Sequence, residues 1–339
     1  LNPNCSVAMI IRTTSYPRAA LIGNPSDGYF GKTIAFTFSN FSARVTLYES
    51  PDLEIVPCRR DGSVFASIQS LYDDVRLFGY YGGIRLLKSA IKCFYGYCQE
   101  HEIELHDNNF TIRYDTNIPN LVGLAGSSAI ITATMRALLA FYDVTIPKPQ
   151  LANLIRAVET RELGIAAGLQ DRVAQVYQGV VFMDFDKTLL ETQGFGRYEP
   201  LQISNLPPLY IAYRTDLSEG SEVFHNNIRD RFNRGEKEVV DAMNFWADIT
   251  VQARTALAEG DWSTLAALMD ANFDRRRQIF KLSEGNLRMV ETAREVGASA
   301  KFTGSGGAII GIYTDDAMYE RLAKAFVPQN IRVLKPVIV

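Results

Sequence analysis

The chain has 339 residues, of which 47% are hydrophobic and 22% charged, values that exclude a disordered, collagenous or mucin-like class. With 35 Lys and Arg against 38 Asp and Glu, its formal charge is −3, so no basic face for nucleic acid or a membrane surface is expected. Length alone points to about two domains. Four cysteines, Cys5, Cys58, Cys93 and Cys98, are too few and too irregular for a disulfide framework or a zinc site. Free thiols in a reducing compartment are expected instead. No apolar run approaches the roughly 18 to 20 residues that span a bilayer, and residues 7–11 are too short, before Arg12, for a signal peptide. The expectation is a cytoplasmic protein with neither nucleic acid nor membrane as partner.

In chain order, a short strand over 18–22 runs into the polar turn Gly23-Asn24-Pro25-Ser26-Asp27. Phe41, Ala43, Val45 and Leu47 alternate with polar or small residues, as a half-buried strand does, and Phe110, Ile112 and Tyr114 repeat the pattern. Between them Ile84, Leu87, Ile91, Phe94 and Cys98 recur at helical steps, which predicts an amphipathic helix opened by Gly82-Gly83. Helices are predicted over 127–142 and 150–163, parted by Pro147-Lys148-Pro149, and a strand over 180–185. Gly194, Gly196, Pro200 and Pro207-Pro208 punctuate 194–208, so the domain boundary is set there, giving domains 1–204 and 205–339. The second half opens on a strand at 209–213 and is helical over 221–296. It closes with strand, Gly-rich turn, strand, helix and a last strand near 331–337. No repeat is present. Both halves read as α+β.

Three segments carry chemistry. Gly123-Leu124-Ala125-Gly126-Ser127-Ser128-Ala129 lies between a strand and a helix. Glycines let backbone approach a ligand closely, and a helix start offers free N–H groups and a positive dipole end. Such a loop suits a polyphosphate, with a serine able to reach the accompanying metal, although no Walker Gly-Lys-Ser/Thr follows. An ordinary helix cap is the plain alternative. The segments over 18–27 and 301–308 are weaker singly, one a common turn composition and the other a plain hairpin.

Taken together and in this order, the three segments resemble the motifs of the GHMP kinases, over the whole chain from Arg18 to the last strand. Glu159 and Asp171, twelve apart with Gly164 and Gly168 between them, are similar to the acid pair of galactokinase. Within the family the chain resembles the plant-type glucuronokinases, in Gly23-Asn24-Pro25-Ser26-Asp27, Tyr80-Tyr81-Gly82-Gly83, the run 114–119, the run 168–177 and Lys301-Phe302-Thr303-Gly304-Ser305-Gly306-Gly307. The resemblance implies a two-domain GHMP-kinase fold. It consists of an N-terminal mixed α/β domain with the ATP loop and a C-terminal ferredoxin-like domain, with Mg-ATP and sugar in the cleft between the halves. It implies conversion of ATP and D-glucuronate to ADP and 1-phospho-α-D-glucuronate, in uronic acid salvage towards UDP-glucuronate.

By the same resemblance Asp171 and Arg18 are the catalytic residues, and Gly123 to Ala129 with Gly304, Ser305 and Gly306 bind ATP. Asn24, Asp27 and Asp171 bind the sugar, and Ser128 and Glu159 hold Mg²⁺. The loop has one residue more than most members, so Ser127 competes with Ser128 for the metal. Asn24 stands where galactokinase has Glu, a change that removes a charge from the neighbourhood of a uronate carboxylate; an Asx-turn with Ser26 is the alternative. A carboxylate ligand also wants an Arg. Arg275-Arg276-Arg277 reads mainly as a solvated basic face and is kept out of the site. Galacturonokinase or another sugar-1-kinase, a kinase of a non-sugar alcohol, and a non-catalytic ligand sensor of the same fold are the other readings.

Overall fold

The computed structural model describes residues 9–58, 61, 66–78, 82–202, 206–215 and 222–339. Cys5, Tyr80-Tyr81 and the boundary placed between 204 and 205 lie outside them. The elements in order are β1 (Ile10–Ser15), β2 (Arg18–Ile22), a 3₁₀ turn (Ser26–Tyr29), β3 (Lys32–Thr37), β4 (Ala43–Glu49), β5 (Glu54–Val56), α1 (Ile68–Phe78) and α2 (Gly83–Glu100). Then come β6 (Phe110–Thr116), α3 (Gly126–Phe141), α4 (Lys148–Ala157), a π turn (Val158–Glu162), α5 (Gln170–Tyr177), β7 (Val180–Asp184), α6 (Lys187–Gln193) and β8 (Arg197–Pro200). The remainder is β9 (Leu209–Arg214), α7 (Glu222–Asn233), α8 (Lys237–Glu259), α9 (Trp262–Ile279), α10 (Glu284–Glu295), β10 (Lys301–Phe302), β11 (Ala308–Ile312), α11 (Asp316–Phe326) and β12 (Ile331–Leu334).

The chain divides into two compact units that interleave in sequence. The first is drawn from Leu1–Tyr16, Phe41–Ile118 and Ser127–Ala167. Its sheet runs β1-β4-β6-β5, antiparallel except for the parallel β5–β6 pair. The alternation seen in the sequence is the alternation of burial: Ala43, Val45 and Leu47 point inward, as do Phe110, Ile112 and Tyr114. Helix α2 buries Leu87, Phe94 and Cys98 of the predicted stripe together with Leu86 and Ala90, while Ile84 and Ile91 flank it half-buried. Helix α3 is buried over most of its length. Its polar residues cost little there, because Thr132 and Thr134 donate to the carbonyls of Ser128 and Ile130, one turn back. The predicted helix over 150–163 is α4 followed by a π turn, and that turn carries Glu159.

The second unit takes Pro17–Asn40, Pro119–Gly126 and Gly168–Val339. One antiparallel sheet has the order β2-β3-β7-β8. The other has the order β10-β11-β9-β12, also antiparallel. Connected β9, helices, β10, β11, α11, β12, this second sheet is the ferredoxin-like βαββαβ arrangement, with α7 to α10 standing where a single helix is usual. Its core is built on Tyr210, Phe273, Phe302, Met289, Leu322 and Phe326. Strand β2 is buried at all five positions. Among the described residues no helix is long and apolar enough to cross a membrane.

Gly83 shows why the glycine pair opens α2. A Cβ there would overlap the Tyr114 ring. The Asp61 carboxylate fastens the same corner, accepting from the Gly83 N–H at 2.8 Å, the Tyr114 hydroxyl at 2.8 Å and the Cys58 N–H at 2.9 Å. Burial alone would raise the pKa of Asp61; these donors bring it below the ordinary value. Gly83→Ala is therefore expected to cost about 1–3 kcal/mol by overpacking, read as a lower midpoint in urea unfolding. An unchanged midpoint would mean that the corner yields freely.

Candidate active site

The first turn of α5 and the start of β2 meet in an ion pair. Arg18, only 4% exposed, donates from Nη2 to Asp171 Oδ1, and from Nη1 to the carbonyls of Thr303 and, at 3.4 Å, Gly123. Its own backbone N–H donates to the Leu124 carbonyl at 3.1 Å. One side chain thus joins the strand, the Gly-rich loop, the β10–β11 hairpin and α5. The other Asp171 oxygen accepts from Arg172 Nη1 at 3.1 Å. Burial pulls the Asp171 pKa up, but the two arginines outweigh it and hold the group below the ordinary carboxylate range. It is ionised at neutral pH.

Asp27 lies in the 3₁₀ turn beside this pair. Burial, and next the charge of Asp171, push its pKa up to about 6, against the opposing pull of Arg18, the Gln170 N–H and Arg172. Gly168 makes the approach possible, since a Cβ there would overlap Asp27 Oδ2. Two neighbouring carboxylates are therefore driven apart, one firmly charged and the other poised to take a proton.

The Gly-rich loop and the hairpin turn are in backbone contact. Gly123 has φ +70°, and a Cβ on it would come 2.9 Å from the Gly306 carbonyl oxygen. A Cβ on Gly304 would sit 2.6 Å from the Gly123 oxygen. Neither position has room for a side chain, which is the physical content of these glycines. The loop is held from behind by Gln175, whose amide donates to the Ala125 carbonyl at 2.9 Å. The hairpin turn is held by Asn286, which accepts from the Gly307 N–H at 2.9 Å.

Of the residues marked out by the sequence, Arg18, Asn24, Asp27, Asp171, the loop from Gly123 to Gly126 and the turn Gly304, Ser305, Gly306 all belong to the second unit. Ser127, Ser128, Ala129 and Glu159 belong to the first. Ser128 and Glu159 are buried, at 1% and 3% exposure. Among the described residues no three His, Cys, Asp or Glu side chains gather as a metal cage. A hydroxyl and a carboxylate are hard oxygen donors, the set a magnesium ion accepts when phosphate oxygens and water complete its shell.

Asn24 makes no Asx-turn: the Ser26 N–H donates to the Gly23 carbonyl at 3.0 Å and not to Asn24 Oδ1. The side-chain amide of Asn24 donates to the carbonyls of Phe302 and Gly304, each at 3.3 Å. Its Oδ1 is buried without a protein partner. The backbone on either side is gripped by Asn272, which accepts from the Gly23 N–H at 2.7 Å and donates to the Asn24 carbonyl at 3.0 Å.

Three buried cations among the described residues escaped sequence reasoning, Arg172 beside Asp171 and two more. Arg276, expected on a solvated face, is 3% exposed and donates to the carbonyls of Gly304 at 2.8 Å and Ser305 at 3.3 Å. Its guanidinium lies against the rings of Phe280 and Phe302, each 5.1 Å from the centroid. Its neighbours in sequence do face outward, Arg275 to Gln278 and Arg277 to Glu291. Lys301 is 1% exposed, donating to the carbonyls of Ala20 at 2.7 Å and Phe302 at 2.8 Å. Burial pushes its pKa well down, and the charges of Arg276 and Arg18 push it further. A lysine inside an apolar strand segment was the available signal.

Comparison with known proteins agrees with this architecture. The family model for the GHMP kinases N terminal domain matches residues 85–179, and that for GHMP kinases C terminal matches 253–328. The chain is 44% identical over 322 residues to glucuronokinase 1 of Arabidopsis thaliana, covering 91% of this chain and 88% of that one. It is 46% identical over 303 residues to the probable glucuronokinase 2 of the same plant, covering 87% and 82%. The fold is also that of Lactococcus lactis galactokinase complexed with galactose, with TM-score 0.74 at 15% identity over 97% of this chain and 93% of that one. On the strength of the glucuronokinase identities and the paired N- and C-terminal matches, the chain belongs to the GHMP kinase family.

Proposed function

We propose that the protein is an ATP-dependent sugar kinase that phosphorylates the anomeric hydroxyl of D-glucuronate, giving ADP and 1-phospho-α-D-glucuronate. The observation that carries the reading is the buried Arg18–Asp171 pair beside Asp27, in a chain 44% identical to a glucuronokinase over 91% of its length. An ionised carboxylate next to the sugar turn is what a hydroxyl nucleophile needs for orientation and for acceptance of its proton. Asp171 is a weak base, because both its oxygens already accept from arginines. An anomeric hydroxyl is more acidic than an ordinary alcohol, and the proton leaves as the new O–P bond forms. Arg18 keeps Asp171 charged and steadies the charge that develops. The turn at Asp27 positions the sugar, and the loop from Gly123 with the turn at Gly304 hold the triphosphate. Ser128 and Glu159 would hold a magnesium ion, which when bound neutralises phosphate charge. Most of the acceleration is positioning and electrostatics.

Three experiments test this. ADP release with glucuronate, galacturonate and galactose should favour glucuronate; preference for either other sugar would move the protein to a different sugar-1-kinase reading. Asp171→Asn should lower kcat by about 10²-fold or more while ATP affinity stays within about twofold. Retention of more than about a tenth of kcat would remove Asp171 from the proton-accepting role. Because the substitution leaves the buried Arg18 guanidinium without a counter-charge, a melting curve should accompany the assay. Glu159→Gln should shift the magnesium titration to higher concentration, since a neutral amide is a poorer ligand for a hard cation. Ser128→Ala should shift it in the same direction; a shift seen with Ser127→Ala alone would reassign the loop's ligand to the preceding serine. An unmoved curve for Glu159→Gln would count against the metal assignment.

A further inference from the structure

A uronate differs from a neutral sugar by its carboxylate, and a carboxylate in a partly dry site calls for a cation with donors to spare. Five cations surround the Asp27 turn in the second unit. Arg18 spends its guanidinium on Asp171, Thr303 and Gly123. Arg172 is engaged with Asp171 and the Gly168 carbonyl. Arg276 holds the Gly304 and Ser305 carbonyls, and Lys301 those of Ala20 and Phe302. Each of these four is buried and tied to the protein through its terminal nitrogens; the Nε groups of Arg18 and Arg276 are unpartnered but sealed from solvent.

The fifth is Arg229 on α7, and it is different in kind. Its side chain is exposed. Its guanidinium lies over the ring of the buried Tyr29 at 4.2 Å from the centroid. Among the described residues it has no hydrogen-bond or ion-pair partner. It also borders the sugar turn directly: a Cβ added to Gly28, next to Asp27, would come within 3.1 Å of Arg229 Nη2. Stacking on Tyr29 fixes the plane of the fork without using any of its N–H donors. The field at the Tyr29 hydroxyl carries contributions from Arg229, Asp27 and Arg276 together, which places the three in one neighbourhood.

We propose that Arg229 binds the carboxylate of the substrate, its stacked guanidinium presenting paired N–H donors beside the Asp27 turn and so selecting a uronate over a neutral hexose. This rests on the sugar-kinase reading above and names the residue that makes the substrate a uronate. Tyr29 is then a positioning residue, setting the plane of the fork. The Asn24 amide nitrogen, donating to the 302 and 304 carbonyls, holds the turn against the hairpin, while its Oδ1 is left without a protein partner.

The test is calorimetric binding of glucuronate together with kcat/KM for glucuronate and glucose, in wild type, Arg229→Gln and Arg229→Lys. For Arg229→Gln the dissociation constant for glucuronate should rise by about 10- to 100-fold, the weight of a hydrogen bond to a charged group. The rise should appear in KM more than in kcat, and the preference for glucuronate over glucose should fall by a similar factor. Arg229→Lys, which keeps the charge and loses the fork, should recover part of the loss. Weakening of both sugars alike, with a lowered melting temperature, would assign Arg229 a structural role only and overturn the inference. So would a glucuronate dissociation constant within about twofold of wild type in Arg229→Gln. Wild-type protein that binds and phosphorylates a neutral sugar and not glucuronate would instead overturn the substrate reading, and this inference with it.

Discussion

The arrangement depends on one buried guanidinium. Arg18 is the point where strand, loop, hairpin and helix are held to one another, and it is also the counter-charge of Asp171. An arginine cannot lose its proton at any relevant pH, so burying it obliges the surrounding chain to supply acceptors. The carbonyls of Thr303 and Gly123 and the carboxylate of Asp171 meet that demand at the two terminal nitrogens, while Nε is left buried without a partner. The glycines follow from the same constraint. Backbone carbonyls can converge on one side chain only if the strands carrying them come closer than a Cβ would allow, as Gly123 and Gly304 do.

The charge pattern around that centre is asymmetric. Arg18, Arg276 and Lys301 are all buried, while among the described residues Asp171 is the one carboxylate ion-paired to any of them. Carbonyls accept from the other two cations, with Arg276 Nε left without a partner, and do not cancel their charge. The excess shows itself in Lys301, whose proton affinity falls partly through its two cationic neighbours; Arg276 is pushed down to about 10 by burial, against the opposing pull of Asp27 and Tyr29. A net charge of −3 over the whole chain conceals this pocket of positive field.

Much of this was legible in the sequence, because it is carried by local pattern. The alternating positions of β4 and β6, the stripe of α2, the strand–Gly turn–strand of the hairpin and the loop before α3 all declare themselves within a dozen residues. What escaped is what depends on partners far along the chain. Lys301 is explained by a carbonyl 281 residues away, and the Asn272 grip on Gly23 spans 249. Arg276 looked like one member of a surface run, since nothing in Arg275-Arg276-Arg277 says which of three directions meets Phe302. A side chain whose partner is a main-chain carbonyl leaves no mark in the partner's residue type, so its role becomes visible only when the fold is known.

The two carboxylates illustrate how position, rather than residue type, assigns chemistry. Asp27 and Asp171 are chemically identical and share a neighbourhood, yet one rises to about 6 while the other falls below its ordinary value. Burial raises both, but Arg18 and Arg172 contact Asp171 directly and overcome it there, whereas they reach Asp27 only through space, where burial and then the charge of Asp171 prevail. The same asymmetry lets Asp27 take up a proton as the pH falls towards 6 while Asp171 stays charged. An anion brought beside Asp27 would therefore meet charged carboxylates at neutral pH and would have to be matched by a cation, and the terminal guanidinium nitrogens of Arg18 and Arg276 already donate within the protein.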